Sequence, residues 1–152
     1  MIRFARLARD DRGASIVELA LVVPIMASLL VGMVDLSRAY SHKLKLEQAA
    51  QRAIEKVQQY QAASSTYGTL QAKAAAAAGV ATTDVAIDYW LECDGTRATN
   101  YESVCATGQT YARWVQVDVT GTFTPLFPSK RYPGANTNGS FTLHGIAGMR
   151  TQ

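Results

Sequence analysis

At 152 residues the chain has room for one apolar segment and one small domain, not for two cores. Its formal charge of +3 is concentrated at the start: residues 1–13 hold four arginines and two aspartates, so everything after Gly13 carries only +1. Charge therefore gives no ground for a nucleic-acid partner. Nor does the sequence offer a Gly-rich phosphate loop, a paired metal-ligand motif or a catalytic constellation.

Residues 1–12 contain Arg3, Arg6, Arg9 and Arg12 without apolar periodicity, and read as a basic leader that is disordered or lies on a membrane surface. From Gly13 the sequence turns apolar, GASIVELALVVPIMASLLVGMV, and its one charge as far as Val34 is Glu18. As a helix, Ala14–Val34 would span about 31 Å, enough to cross a hydrocarbon core of about 30 Å once. A charged side chain in such a helix costs roughly 2.5–3.5 kcal/mol at its centre and less near an end. Glu18 therefore calls for a partner, with hydration among headgroups as the plainer alternative. Pro24 lies inside the run, where membrane helices tolerate it at the cost of a mild bend. The four arginines outnumber Arg38, Lys43 and Lys45 on the far side, which favours an N-inside orientation by a modest margin. An ordinary signal peptide is the rival reading. Its apolar core is shorter, and Gly32-Met33-Val34 before Asp35 fits the small-x-small rule poorly. Asp35 itself reads as an interfacial residue within reach of Arg38.

An Arg-rich leader, Gly13, four small or apolar residues, Glu18 and then an apolar helix resemble the processing site of type IV pilin-like precursors. More closely, RGASIVELALVVPIMASLLVGMVDLSRAYSHKLKLEQAAQRA is similar to the TadE family of minor pseudopilins of tight-adherence (Tad) pili. The resemblance covers Asp11 to about Ala53 and continues weakly in VQVDVTGTFTPLFP and the strand after it. It implies that a prepilin peptidase cuts after Gly13, that Ala14 becomes the mature N-terminus, and that Glu18 pairs with the free amine of a neighbouring mature chain. The implied partners are that peptidase, other pilins and pseudopilins, the pilus assembly platform and the inner membrane. The implied place is a single-pass bacterial inner-membrane protein with a periplasmic C-terminal domain. Ala14 stands where Phe or Met is frequent in type II secretion pseudopilins, and the chain is longer than the short major Tad pilins. Both departures favour TadE, with a TadF-like sibling still open.

Beyond Asp35 the pattern becomes amphipathic. Leu46, Ala50, Ala53, Ile54 and Val57 recur at helical spacing, while Lys45, Gln48, Arg52, Glu55 and Gln59 fall elsewhere on the wheel. The stripe would pack on the chain's own sheet or on a neighbouring subunit's helix. Ala62–Gly68 reads as a break, and Thr69–Ala78 as a short Ala-rich helix stopped by Gly79. His42 falls beside Lys43 on a solvated turn.

The β signal starts near Asp84. Val85, Ile87, Tyr89 and Leu91 alternate with Ala86, Asp88 and Trp90, the period-two pattern of a half-buried strand. Asp94–Ser103 reads as a polar loop. Cys93 and Cys105, the only cysteines, are an isolated pair in a domain read as exported. They suggest a disulfide, with free thiols and then metal ligation as alternatives. Trp114–Phe123 carries the strongest strand pattern, and Phe141–Ala147 a last one that includes an isolated His144. The Pro- and Gly-rich stretch between them cannot continue a central strand. Tyr89, Trp90, Tyr101, Tyr111 and Trp114 fit sheet positions better than a sugar-binding surface.

Helices followed by strands imply an α+β fold: a long N-terminal transmembrane and amphipathic helix lying on a small antiparallel sheet, the pilin-like plan. The organisation expected is a leader over 1–13, a transmembrane helix over 14–34, an amphipathic helical region over 35–79 and a β-rich region with a disulfide loop over 80–152. The function expected from the resemblance is non-enzymatic and needs neither cofactor nor metal: assembly or initiation of a Tad-type pilus. The alternative of another class is a bitopic membrane protein whose exported domain binds a ligand or surface.

Overall fold

The computed structural model describes residues 11–60 and 67–151. Most of the leader and of the expected break at Ala62–Gly68 therefore lie outside the described residues. The chain divides at Arg38/Ala39 into two compact units. The elements are α1 (Asp11–Tyr60), α2 (Tyr67–Ala78), a 3-10 turn (Thr82–Asp84), β1 (Val85–Cys93), β2 (Thr96–Arg97), β3 (Tyr111–Phe123) and β4 (Phe141–Arg150). The described part of α1 includes Asp11 to Gly13 of the expected leader and continues through Pro24.

In the unit that starts at Ala39, the apolar stripe of α1 is buried as its spacing requires. Leu46, Ala49, Ala50, Ala53, Ile54 and Val57 form one cluster with Leu70, Ala74, Ala75 and Ala78 of α2, Val85 of β1, and Val115, Val117 and Val119 of β3. Lys45, Gln48, Arg52 and Glu55 remain exposed. The chain's own sheet and α2 are thus what this stripe packs on. Alanine on both helices keeps side chains short and lets the backbones approach closely. Gly79, at φ +74°, ends α2: its N–H and that of Val80 both donate to the Ala75 carbonyl (2.8 and 3.1 Å). Gln71 Nε2 reaches the carbonyls of Val85 (2.7 Å) and Thr82 (3.0 Å) and ties α2 to the start of the sheet.

The sheet is antiparallel with order β2-β1-β3-β4. Val115, Val117 and Val119 are wholly buried on its inner face, whereas their neighbours Trp114, Gln116, Asp118 and Thr120 point to the other side. β3 begins at Tyr111 and β4 runs to Arg150, each three residues beyond its expected end. Cross-strand pairing supplies the reason. Cys93 pairs with Tyr111 and Trp114 with Arg150, so neighbouring strands carry residues with little alternation of their own.

Two other readings need correction. The stretch after Cys93, expected as loop, opens with a hairpin: Asp94 (φ 49°) and Gly95 (φ 78°) form a two-residue turn of type I′ character that pairs Cys93 with Thr96 and Glu92 with Arg97. Asp-Gly is a local signal for that turn, and it outweighs the polarity of the segment. Tyr89 shares the face of Val85, Leu91 and its cross-strand partner Val115, as its alternation requires, but is exposed there and meets Tyr101 edge-on at 5.2 Å. His42 is half-buried within α1 and lies against Gly121 of β3, not on a solvated turn.

Two glycines fix how α1 meets the sheet. A Cβ at Gly145 would fall on the backbone of Leu46 and Glu47, and one at Gly121 would lie 2.9 Å from both His42 Cε1 and Leu46 Cδ1. The helix backbone therefore rests directly on β4 at the one residue type that leaves room for it.

Candidate functional site

Between Ala14 and Val34 the only ionisable side chain is Glu18. From Ile16 to Val34 every Ile, Val, Leu and Met side chain except Val31 is exposed, in a helix long and apolar enough to cross a membrane. An apolar surface of this kind is not stable in water and requires lipid or another apolar helix against it. Glu18 is also exposed, so its carboxylate is available to whatever surrounds the helix. Gly13 and Ala14 lie in the first turns of α1. Ala14 and Glu18 are four residues apart, about 6 Å along the axis of an α-helix. Past the apolar run, Arg38 Nη1 pairs with Asp35 Oδ1 at 3.2 Å, the contact anticipated from their spacing. Lys43 and Glu47 pair at 3.7 Å one turn further on.

Cys93 and Cys105 form a disulfide with their Cα atoms 5.6 Å apart. It ties the end of β1 to the connection leading into β3. Asp94 supports the same connection: Thr110 donates both its N–H (2.9 Å) and its hydroxyl (2.8 Å) to Asp94 Oδ1. Those donors hold the Asp94 carboxyl below the usual carboxylate range. Arg113 stacks over Tyr101, 5.5 Å from the ring centre, and completes the packing of the loop.

The outer face of the sheet carries an ordered cluster that the sequence did not announce. Trp90 and Trp114 are cross-strand partners and stack at 6.2 Å. Their indole N–H groups donate to the two oxygens of Glu92 (2.9 and 3.0 Å). Arg97 lies 4.8 Å over the Trp90 ring and makes a two-pronged bond to Asp88 (2.7 and 3.0 Å). The cluster knits β1, β2 and β3 together. A sequence signal existed only in part: aromatic and acidic residues at alternate positions, without the register that brings them together. His144 Nδ1, read as isolated, lies 3.1 Å from Asp118 Oδ1 and 3.4 Å from Thr120 Oγ1 across the β3–β4 ladder.

The structure thus brings Cys93 and Cys105 together, while Gly13, Ala14 and Glu18 share one helix end far along the sequence from them. No curated protein and no solved structure matches the chain. The similarity found lies in α1: residues 13–54 match the family model of TadE-like proteins.

Proposed function

We propose that the chain is a minor pseudopilin acting in the assembly or initiation of a Tad-type pilus. The observation that carries this reading is the TadE-like match from residue 13 to 54, which begins at the proposed cleavage residue and spans an exposed apolar helix with a single acidic group. In this reading a prepilin peptidase removes residues 1–13 at the cytoplasmic face of a bacterial inner membrane. The mature chain keeps the apolar part of α1, residues 14–34, in the bilayer and its disulfide-bonded domain in the periplasm until the pilus machinery and other pilins recruit it.

Cleavage creates an ammonium at Ala14 that must leave water when the helix end enters lipid or a filament. Glu18 lies one helical turn away. Between two axially staggered chains, the carboxylate of one and the amine of the other would neutralise each other. Such a buried pair contributes little net stability and serves mainly to set register. The expected result for Glu18→Ala is that the leader is still removed while piliation is lost, read by immunoblot of membrane fractions and electron microscopy of cells. Normal pili on cells whose sole copy is Glu18→Ala would assign the carboxylate no role in assembly.

A further inference from the structure

The 17-residue connection between β3 and β4, residues 124–140 (TPLFPSKRYPGANTNGS), is held in place yet leaves apolar side chains in water. Its hold is extensive. Asn136 Nδ2 donates to Ser140 Oγ (3.0 Å) and Thr142 Oγ1 (3.2 Å), and Ser140 donates through both N–H and hydroxyl to Asn138 Oδ1. Tyr132 stacks on Phe141 at 6.4 Å. Gly139, at φ +80°, lies so close to Pro128 and Ser129 that a Cβ would strike their backbone. A loop fixed in this way ordinarily turns its large apolar residues inward. Here Phe127 is 67% exposed and Leu126 52% exposed. Lys130, Arg131 and Tyr132 are exposed beside them, and the connection contains no acidic residue.

The location of this tip follows from the two glycine contacts. Gly145 meets Leu46, and Gly121, the partner of Leu143, meets His42 and Leu46. Stepping from Gly145 to Leu143 covers about 7 Å of β4, and stepping from Leu46 to His42 covers about 6 Å of α1. Strand and helix therefore run side by side toward Ala39, and the β3–β4 tip lies at the end of the domain that holds Ala39. Val34, the last residue of the apolar run, precedes Ala39 by five residues of the same helix.

We propose that this tip is a lipid-binding surface, with Leu126 and Phe127 entering the boundary between headgroups and acyl chains. Lys130 and Arg131 bind the phosphates of anionic phospholipids. The proposal rests on the reading that residues 14–34 cross the bilayer. The chemistry is that of interfacial anchoring: an apolar and aromatic wedge flanked by long cationic side chains that reach headgroup phosphates. A neutral or acidic protein groove would also accept the wedge, but it would not explain why an all-cationic tip occupies the domain end that holds Ala39, five residues along the chain from Val34.

The test uses the full chain in vesicles of phosphatidylcholine and phosphatidylglycerol in which part of the lipid carries brominated acyl chains, a tryptophan quencher. Phe127→Trp adds a reporter at the tip, Ile25→Trp reports on the apolar helix, and the unsubstituted chain gives the background from Trp90 and Trp114. The result expected is that bromolipid quenches the fluorescence added by Phe127→Trp, and that aqueous acrylamide does so poorly. Lys130→Gln with Arg131→Gln should lower the bound-to-free ratio of the tip by roughly fivefold per cation. If Ile25→Trp is quenched by bromolipid while Phe127→Trp answers only to acrylamide, the tip does not bind lipid although the helix is inserted. Absence of quenching at both positions would overturn the spanning reading and this proposal with it.

Discussion

Gly145→Ala should unseat α1 from the sheet and cost the domain about 3 kcal/mol, the upper part of the range for overpacking a closely fitted site. The reason is geometric. The added methyl would collide with the backbone of Leu46 and Glu47, and lie 2.6 Å from Leu46 Cβ. Backbone cannot rotate away as a side-chain tip can. Relief would require lifting the helix off β4, which would loosen the packing of Leu46, Ala49 and Ala50 around Val115, Val117 and Val119. Gly148→Ala on the same strand is the matched control. Its Cβ would come no nearer than 3.4 Å to any neighbour, the closest being the Val115 carbonyl oxygen, so a change within about 0.5 kcal/mol is expected. Thermal unfolding of the full chain in detergent, followed by the circular dichroism of the stacked Trp90–Trp114 pair, separates the two variants. At roughly 4 °C or more per kcal/mol, Gly145→Ala should melt more than 10 °C lower. Equal melting of both variants would mean that the helix does not rest on Gly145.

Removing the disulfide is the second large effect. The bond closes a loop whose ends are 12 residues apart, and the chain-entropy model gives about 3 kcal/mol for a loop of similar length. In a small domain whose total stability is of the order of 5–15 kcal/mol, that is a substantial fraction. The double variant Cys93→Ala, Cys105→Ala should therefore unfold at distinctly lower denaturant concentration. The unsubstituted chain should fall to the same midpoint after reduction. The Asp94-Gly95 turn and the Thr110 donors on Asp94 remain, so strand pairing between β1 and β3 should persist in the variant at low denaturant. A midpoint that ignores both the substitutions and reductant would show that the connection is held by those local bonds alone.

The sequence made some parts of this structure readable and hid others for physical reasons. The stripe Leu46, Ala50, Ala53, Ile54 and Val57 was legible because a helix repeats its face every 3.6 residues, and every one of those positions is buried. Val115, Val117 and Val119 were legible by the period of a strand. The Ala-rich monotony of α2 did not hide its stop, because Gly79 adopts the left-handed conformation its residue type allows. The role of Gly145 had no local signature. A glycine inside a strand shows only that something approaches, and the identity of the approaching helix depends on tertiary packing. Trp90, Trp114 and Glu92 were likewise visible as residues and invisible as a cluster, since a one-residue shift between β1 and β3 would separate the indoles. Asp118 and His144 depend on register in the same way. The hairpin at Asp94-Gly95 was present in the sequence as a recognisable turn dipeptide and was masked by the polar composition around it.

The candidate site divides along the same line. The apolar helix and Glu18 can be read from composition alone, and the cysteine pair from count and context. What happens at Gly13 depends on an enzyme that acts on the chain, so neither periodicity nor packing determines it. The most direct measurement is accordingly the N-terminal sequence of the protein extracted from the membranes of its own cells. A mature chain beginning at Ala14 is the result expected of a processed pseudopilin; a chain that still begins at Met1, or one that begins after Val34, would contradict it.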